Sequence, residues 1–222
     1  MPHGGVPAAD YRMSRLSTDR HGVRFDVDAH GSSLGTFTLP LPGRHNAMNA
    51  LGALAAALEL GAEVEAVREA LARFGGVARR FERRGERDGV AFVDDYAHLP
   101  TEVEAAVAAA QSGGWGRVVA VFQPHRYSRT AALWRDFADS FAGADQLVLT
   151  GIYPAGELPQ PGITGELVMR AVLDSHPWAT VAYLPNRADL AQYLRAALRP
   201  GDLCLTLGAG DLTTLPDELL NA

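Results

Sequence analysis

The chain has no lysine; all 20 of its basic residues are arginine. A lysine phosphate clamp and a lysine Schiff base are therefore excluded, and any anion must be held by guanidinium groups or the backbone. A GC-rich coding bias accounts for the composition without removing that consequence. Cysteine is nearly absent too. The single Cys204 excludes an intrachain disulfide framework and a Cys-based zinc site, and fits a reducing compartment. No apolar run reaches the roughly 18 residues of a membrane span. The opening Met1-Pro2-His3-Gly4-Gly5 is neither basic nor followed by an apolar stretch, so no secretory signal is expected. Net positive charge is lacking as well. With 26 acidic residues the formal charge is -6, which argues against a nucleic-acid binder. What is present, 47% hydrophobic and 21% charged residues over 222 positions, suits a globular protein of one or two domains.

Residues 11–41 read as extended chain. Val23–Asp28 alternates apolar and polar with period two, Gly31-Ser32-Ser33 turns, and Gly35–Leu39 is a second extended run, which together predict a hairpin. Met48, Leu51, Leu54 and Leu58 then fall at helical spacing, with Gly61 placed to end the helix. A second helix is expected from about Val64 to Phe74. From residue 90 the rhythm changes. Short apolar strands at 90–93, 118–122, 147–149, 181–184 and 203–207 alternate with helices opening at 101 and near 130–141, 166–173, 188–198 and 211–220. That order predicts an α/β fold: a Rossmann-like, mostly parallel sheet with flanking helices, preceded by a β-hairpin plus two helices. The polar stretch Glu82–Asp88 reads as the boundary, giving domains 1–84 and 85–222.

In such a sheet, ligands bind beyond the carboxyl ends of the strands. Four segments should share that edge: 94–98, 123–129, 150–157 and 208–211. Gln123–Arg129 brings two arginines and a histidine to one turn, either an anion site or a solvated turn. Asp94-Asp95-Tyr96-Ala97-His98 could orient a ribose, a metal or an amine, or simply cap a helix. Gly208-Ala209-Gly210 suits an anion approached by backbone amides or a tight turn. Cys204, inside an apolar strand, reads as an inert core thiol. Asn46 and Asn49 share a helix face, where two amides could read an adenine edge; the alternative is a cap and a solvated side chain.

These motifs resemble the Mur ligases, the ATP-dependent amino-acid ligases of peptidoglycan precursor synthesis. The resemblance rests on Gly43–Ala50, Gly76–Phe81, Asp94–Glu102 and Gly208–Asp211, in order, and runs from about Asp10 to Leu215. Phe122–Thr130 and Tyr153–Glu157 narrow it to the member that adds L-alanine to UDP-N-acetylmuramate. The resemblance implies a cytoplasmic enzyme using ATP and Mg2+, with an acyl-phosphate intermediate. It implies that Asn46 and Asn49 contact the adenine end of ATP, and that Arg80 and Asp95 hold the nucleotide, Asp95 at the ribose. Tyr96, His98, His125, Arg126 and Arg129 would line the muramoyl-alanine side.

The departures are as informative. The phosphate loop G-x-x-x-x-G-K-[ST] and the metal-binding residues of the family's central domain are not found, nor is the Gly-rich turn of its UDP-binding domain. Leu99 stands where a second histidine is usual. Residues 1–84 then correspond to the end of the central ATP-binding domain and 85–222 to the complete C-terminal domain. The expectation is a chain inactive alone, with the missing N-terminal portion as its partner and with apolar surface near residues 23–60 left unpaired. Two other readings stay open: a non-catalytic ligand- or partner-binding module, and the related murein tripeptide ligase.

Overall fold

The computed structural model describes residues 9–221, so the opening Met1–Gly5 lies outside it. The chain forms two compact units, Met1–Gly75 and Gly76–Ala222.

In the first unit, β1 (Tyr11–Asp19), β2 (Gly22–Ala29) and β3 (Ser32–Leu39) form an antiparallel meander, followed by α1 (Arg44–Glu59) and α2 (Val64–Ala72). The expected hairpin is thus two of three strands. The Asp19 carboxylate accepts the His21 and Gly22 amides at 2.7 and 3.2 Å and shapes the first turn. Val23, Phe25 and Val27 point to one face and pack with Phe37, Leu39, Ala47, Leu51, Leu54 and Val67. Burial of large apolar side chains such as Phe25 and Phe37 contributes about 1.5–3 kcal/mol each. Between them Arg24, Asp26 and Asp28 take the other face, where Asp26 accepts the Thr36 hydroxyl at 2.7 Å. The expected unpaired apolar surface near 23–60 is therefore mostly absent: the period-two alternation supplies a polar outer face, and the helices close the inner one. Met48 and Leu60 are the large apolar residues left exposed in that stretch. Gly61 ends α1 at a φ of +89°, as its position predicts.

The second unit is a six-stranded sheet in the order β4-β5-β9-β6-β7-β8. Its strands are β4 (Glu82–Arg87), β5 (Val90–Asp95), β6 (Arg117–Phe122), β7 (Gln146–Leu149), β8 (Val181–Tyr183) and β9 (Asp202–Leu207). β4 runs antiparallel to β5, and the other pairs are parallel. Helices α3 (Pro100–Gln111), α4 (Tyr127–Leu133), α5 (Glu166–Ser175), α6 (Arg187–Ala197) and α7 (Leu215–Leu220) alternate with them. α4 tightens into a 3-10 turn over Trp134–Phe137, and another 3-10 turn, Asp211–Thr214, precedes α7. Two apolar layers form, one around Val103, Val107, Phe122 and Phe137, the other around Val119, Val148, Leu190 and Leu215. Helices thus cover both faces of the sheet.

The compact units divide at 75/76, so the expected boundary of 84/85 falls within the second unit. Glu82–Arg87 is not a linker but an edge strand. Its arginines explain why so polar a segment is ordered: Arg84 reaches Asp217 at 2.5 Å, and Arg87 donates to the Leu220 carbonyl at 2.8 Å. A charged, one-sided edge strand also blocks pairing with another chain.

Candidate functional site

The parallel strands place the ends of β5, β9, β6 and β7 side by side, and backbone bonds continue the sheet into the loops beyond. Gly208 N donates to Asp95 O, Gln123 N to Leu207 O and Thr150 N to Phe122 O, at 3.0–3.1 Å. Past them, Tyr153 N donates to Pro124 O and Arg126 N to Tyr153 O, at 2.9 and 2.8 Å. Gln123 adds a side-chain clamp, donating to Asp211 at 2.8 Å and accepting the Leu212 amide at 3.2 Å. Gly210 fits because it has no side chain; a Cβ there would strike the Gln123 amide oxygen and come within 2.5 Å of the Tyr153 ring. The four expected segments do share one edge.

The two aspartates are structural anchors at that edge. Asp94 is buried and accepts the Thr206 and Thr213 hydroxyls at 2.7 Å each, and Arg79 Nε at 3.2 Å. Arg79 also donates to the carbonyls of Gly208 and Gly210 at 2.6 and 3.3 Å, and its guanidinium lies 4.8 Å over the Tyr96 ring. It is the carbonyls of the glycine turn that Arg79 engages. Asp95 accepts the Phe81 and Ala97 amides at 2.8 and 2.7 Å. Burial pushes its pKa up, against the two amides and the nearby Arg80. Neither aspartate caps the next helix. The N-cap of α3 is Leu99, and the Glu102 carboxylate accepts the His98 and Leu99 amides at 3.0 and 3.2 Å. Arg80 is exposed, 5.7 Å over Tyr96.

Tyr96, His98, His125 and Tyr153 form a row of rings with successive centroids 5.3, 5.7 and 5.7 Å apart. Hydrogen bonding fixes the two imidazoles differently. His98 Nδ1 lies 2.9 Å from the Tyr96 carbonyl and 3.3 Å from Glu102, both acceptors, so it carries the proton. His125 Nδ1 lies 3.0 Å from Arg129 Nη1, a donor, so it presents its lone pair. Burial first, then Arg129, His98 and Arg126, push the His125 pKa below its ordinary value. Arg126 begins α4 at a φ of +69°, and its exposed guanidinium makes no hydrogen bond or ion pair among the described residues. Glu157 holds that turn in place, accepting the Ser128 hydroxyl and amide at 2.5 and 2.9 Å, and these bonds lower its pKa.

Seven of the nine candidate residues, Arg80, Asp95, Tyr96, His98, His125, Arg126 and Arg129, therefore lie in the second unit. Asn46 and Asn49 lie in α1 of the first unit. Asn46 donates to the Pro42 carbonyl at 2.7 Å and is not the cap, which is Gly43; Asn49 is exposed. Arg79, Glu102 and Glu157 are absent from the sequence-derived set. All three lie inside the motifs named above, Gly76–Phe81, Asp94–Glu102 and Tyr153–Glu157; Glu102 stands four residues from His98, whereas the Glu157 contact with Ser128 spans 29 positions. Cys204 is buried, its thiol pushed up to about 12, in keeping with an inert core residue. Among the described residues no group of three or more His, Cys, Asp or Glu could hold a metal ion, and no helix is long and apolar enough to cross a membrane.

A mostly parallel sheet with this polar loop edge matches the Mur ligase, glutamate ligase domain over residues 79–210, more than half the chain, and the protein belongs to the Mur ligase family. Among curated proteins it is 48% identical over 218 residues to a UDP-N-acetylmuramate–L-alanine ligase of Anaeromyxobacter sp. (strain Fw109-5), covering 98% of this chain and 47% of that protein. To the ligase of the same name from Gloeobacter violaceus it is 49% identical, covering 97% and 46%. The chain thus spans about half the length of the curated relatives it matches. A solved UDP-N-acetylmuramate-alanine ligase from Thermotoga maritima superposes with a TM-score of 0.81 at 25% identity, covering 98% of this chain and 46% of that one.

Proposed function

We propose that the chain is the C-terminal part of a cytoplasmic ligase that joins L-alanine to UDP-N-acetylmuramate in peptidoglycan precursor synthesis. Residues 76–222 are then its C-terminal domain, and the first unit belongs to its central domain. The observation that carries this reading is the juxtaposition of Arg126, Arg129, His98 and His125 at one loop edge, in a chain about half identical to ligases of that name. Arginine forks suit carboxylate and phosphate groups, and here the Arg126 guanidinium makes no hydrogen bond or ion pair among the described residues while that of Arg129 reaches the His125 ring nitrogen.

Bound ATP supplies the phosphoryl group that activates the muramic carboxylate as an acyl phosphate. Asn46, Asn49, Arg80 and Asp95 are the residues assigned to ATP. Each Asp95 oxygen already accepts one amide, so a ribose hydroxyl would take a remaining lone pair. Tyr96, His98, His125, Arg126 and Arg129 hold the acyl and alanine groups.

The test is a ligase assay with ATP, magnesium, UDP-N-acetylmuramate and L-alanine, reading phosphate release and coupled product. It is run on the 222-residue chain alone and joined to the remaining half of a curated relative. Turnover by the joined chain is expected, with none by the chain alone. Failure of the joined chain with L-alanine, but turnover with a murein tripeptide, would reassign the substrate; binding without any turnover would make the chain a non-catalytic module.

A further inference from the structure

We infer that His98 is the base that takes the proton from the attacking amine, with Glu102 and the Tyr96 carbonyl holding its ring in the required tautomer. The inference rests on the ligase reading above. Amide formation from an acyl phosphate and an amine must release a proton, and a base within hydrogen-bond reach of the nitrogen lowers the barrier.

Two imidazoles line the site, and their hydrogen bonds distinguish them. His98 Nδ1 has two acceptors, the Tyr96 carbonyl at 2.9 Å and the Glu102 carboxylate at 3.3 Å. Its proton therefore sits on Nδ1, and Nε2 carries a lone pair that meets no partner among the described residues. His125 is the reverse. Its Nδ1 lone pair is occupied by Arg129 at 3.0 Å, which leaves Nε2 as an N–H donor. Only His98 can accept a proton as it stands. Glu102 is itself fixed by the His98 and Leu99 amides, so the pair is seated at the first turn of α3 and not on a free loop. The ring is mostly covered, with 14% of its side chain exposed, and faces the His125 ring at 5.7 Å. An α-amino acid whose carboxylate meets the arginines of the next loop would bring its nitrogen to this ring.

As the nitrogen bonds to the acyl carbon, the carbonyl π pair moves to oxygen and the N–H proton passes to His98 Nε2. Collapse restores the carbonyl and breaks the bond to the phosphate oxygen, releasing inorganic phosphate. His98 then returns its proton to phosphate or water.

The test combines kinetics with a measurement that needs no substitution. In the joined ligase, His98→Asn keeps a donor near the Nδ1 position and removes Nε2. The expected result is a fall in kcat on the order of 100- to 10 000-fold with KM for alanine within a few-fold. In His98→Ala, added imidazole should restore part of kcat. An undiminished kcat in His98→Asn overturns the assignment while leaving the ligase reading intact; absence of turnover in the unmutated joined chain overturns both. Should the variants fail to fold, 15N NMR of the unmutated chain decides: a protonated Nδ1 and bare Nε2 at His98 are expected, and the opposite tautomer overturns the assignment.

Discussion

The two edges of the six-stranded sheet use the same residue types to opposite ends. At the edge where the parallel strands begin, Arg117 grips Asp202 with two bonds of 3.0 and 2.6 Å and donates to the Ala197 carbonyl at 3.0 Å. Asp202 also accepts the Arg199 amide, Asp145 the Val118 amide and Tyr193 the Gln146 side chain, at 2.7–2.8 Å. At the edge where the strands end, Asp94 and Asp95 are closed in the same way, but the layer above them is not. Among the described residues the Arg126 guanidinium makes no hydrogen bond or ion pair there, and His98 Nε2 meets no partner. Arginine and carboxylate chemistry by itself does not mark a site. What marks it is polar capacity left over after the backbone and neighbouring side chains have been satisfied.

The sharpest way to break that comparison is at the closed edge. Asp202→Ala removes a buried carboxylate and leaves Arg117, mostly covered, without its partner. Breaking such a pair is expected to cost about 3 kcal/mol, read as a lower urea midpoint at unchanged slope. The same variant in the joined ligase should leave KM for alanine unaltered. A loss below about 1 kcal/mol would put the pair among ordinary exposed ion pairs, and the edge would not be closed in the sense argued here.

A smaller effect is expected from the open edge, and it depends on pH. His125 is held below its ordinary value of 6.5, so between that value and its folded one the unfolded chain binds more protons than the folded chain. Stability should therefore fall as pH drops through the window below about 6.5, and be fully present above it. His125→Gln, which cannot titrate, should flatten that slope in urea denaturation between pH 5 and 7. An unchanged slope would mean that the ring titrates freely and that Arg129 does not hold its lone pair.

Much of this architecture is legible in the sequence, and the exceptions have physical causes. β5, β6, β7 and β9 are buried on both faces, so they stand out as apolar runs, and the rule about strand ends then leads to the right loops. β1 is harder to see because a register shift between Ser14 and Ser17, with Arg15 at a φ of +49°, breaks its alternation. β4 is hidden because an edge strand held by arginines needs no apolar face. At the site, the residues with capacity to spare, Arg126, His98 and His125, sit in recognisable motifs. Glu102 is four residues from His98, a spacing the sequence does show, but Glu157 holds the Ser128 turn and Arg79 holds Asp94 and the Gly208–Gly210 turn through bonds between elements, which spacing along the chain does not encode.

Arg126→Ala should have the smallest effect on stability and so sharpens the comparison most. An exposed guanidinium with no hydrogen bond or ion pair among the described residues contributes little to folding, so the urea midpoint is expected to stay within about 0.5 kcal/mol of the unmutated chain. Its backbone is the part the fold uses: the Arg126 amide donates to Tyr153 and its carbonyl accepts Thr130, and both bonds survive truncation of the side chain. The positive φ of 69° is already adopted by a residue with a Cβ, so alanine adds no new strain. The cost should appear in the joined ligase. Losing one charged hydrogen bond to an anionic substrate is worth about 1.5–3 kcal/mol, a rise of roughly 10- to 150-fold in KM for alanine or UDP-N-acetylmuramate. Stability lost without a kinetic effect would place Arg126 with Arg117, as a structural arginine. Kinetics unchanged for both substrates, with stability also unchanged, would leave Arg129 as the arginine that engages the substrate and Arg126 as a solvated neighbour.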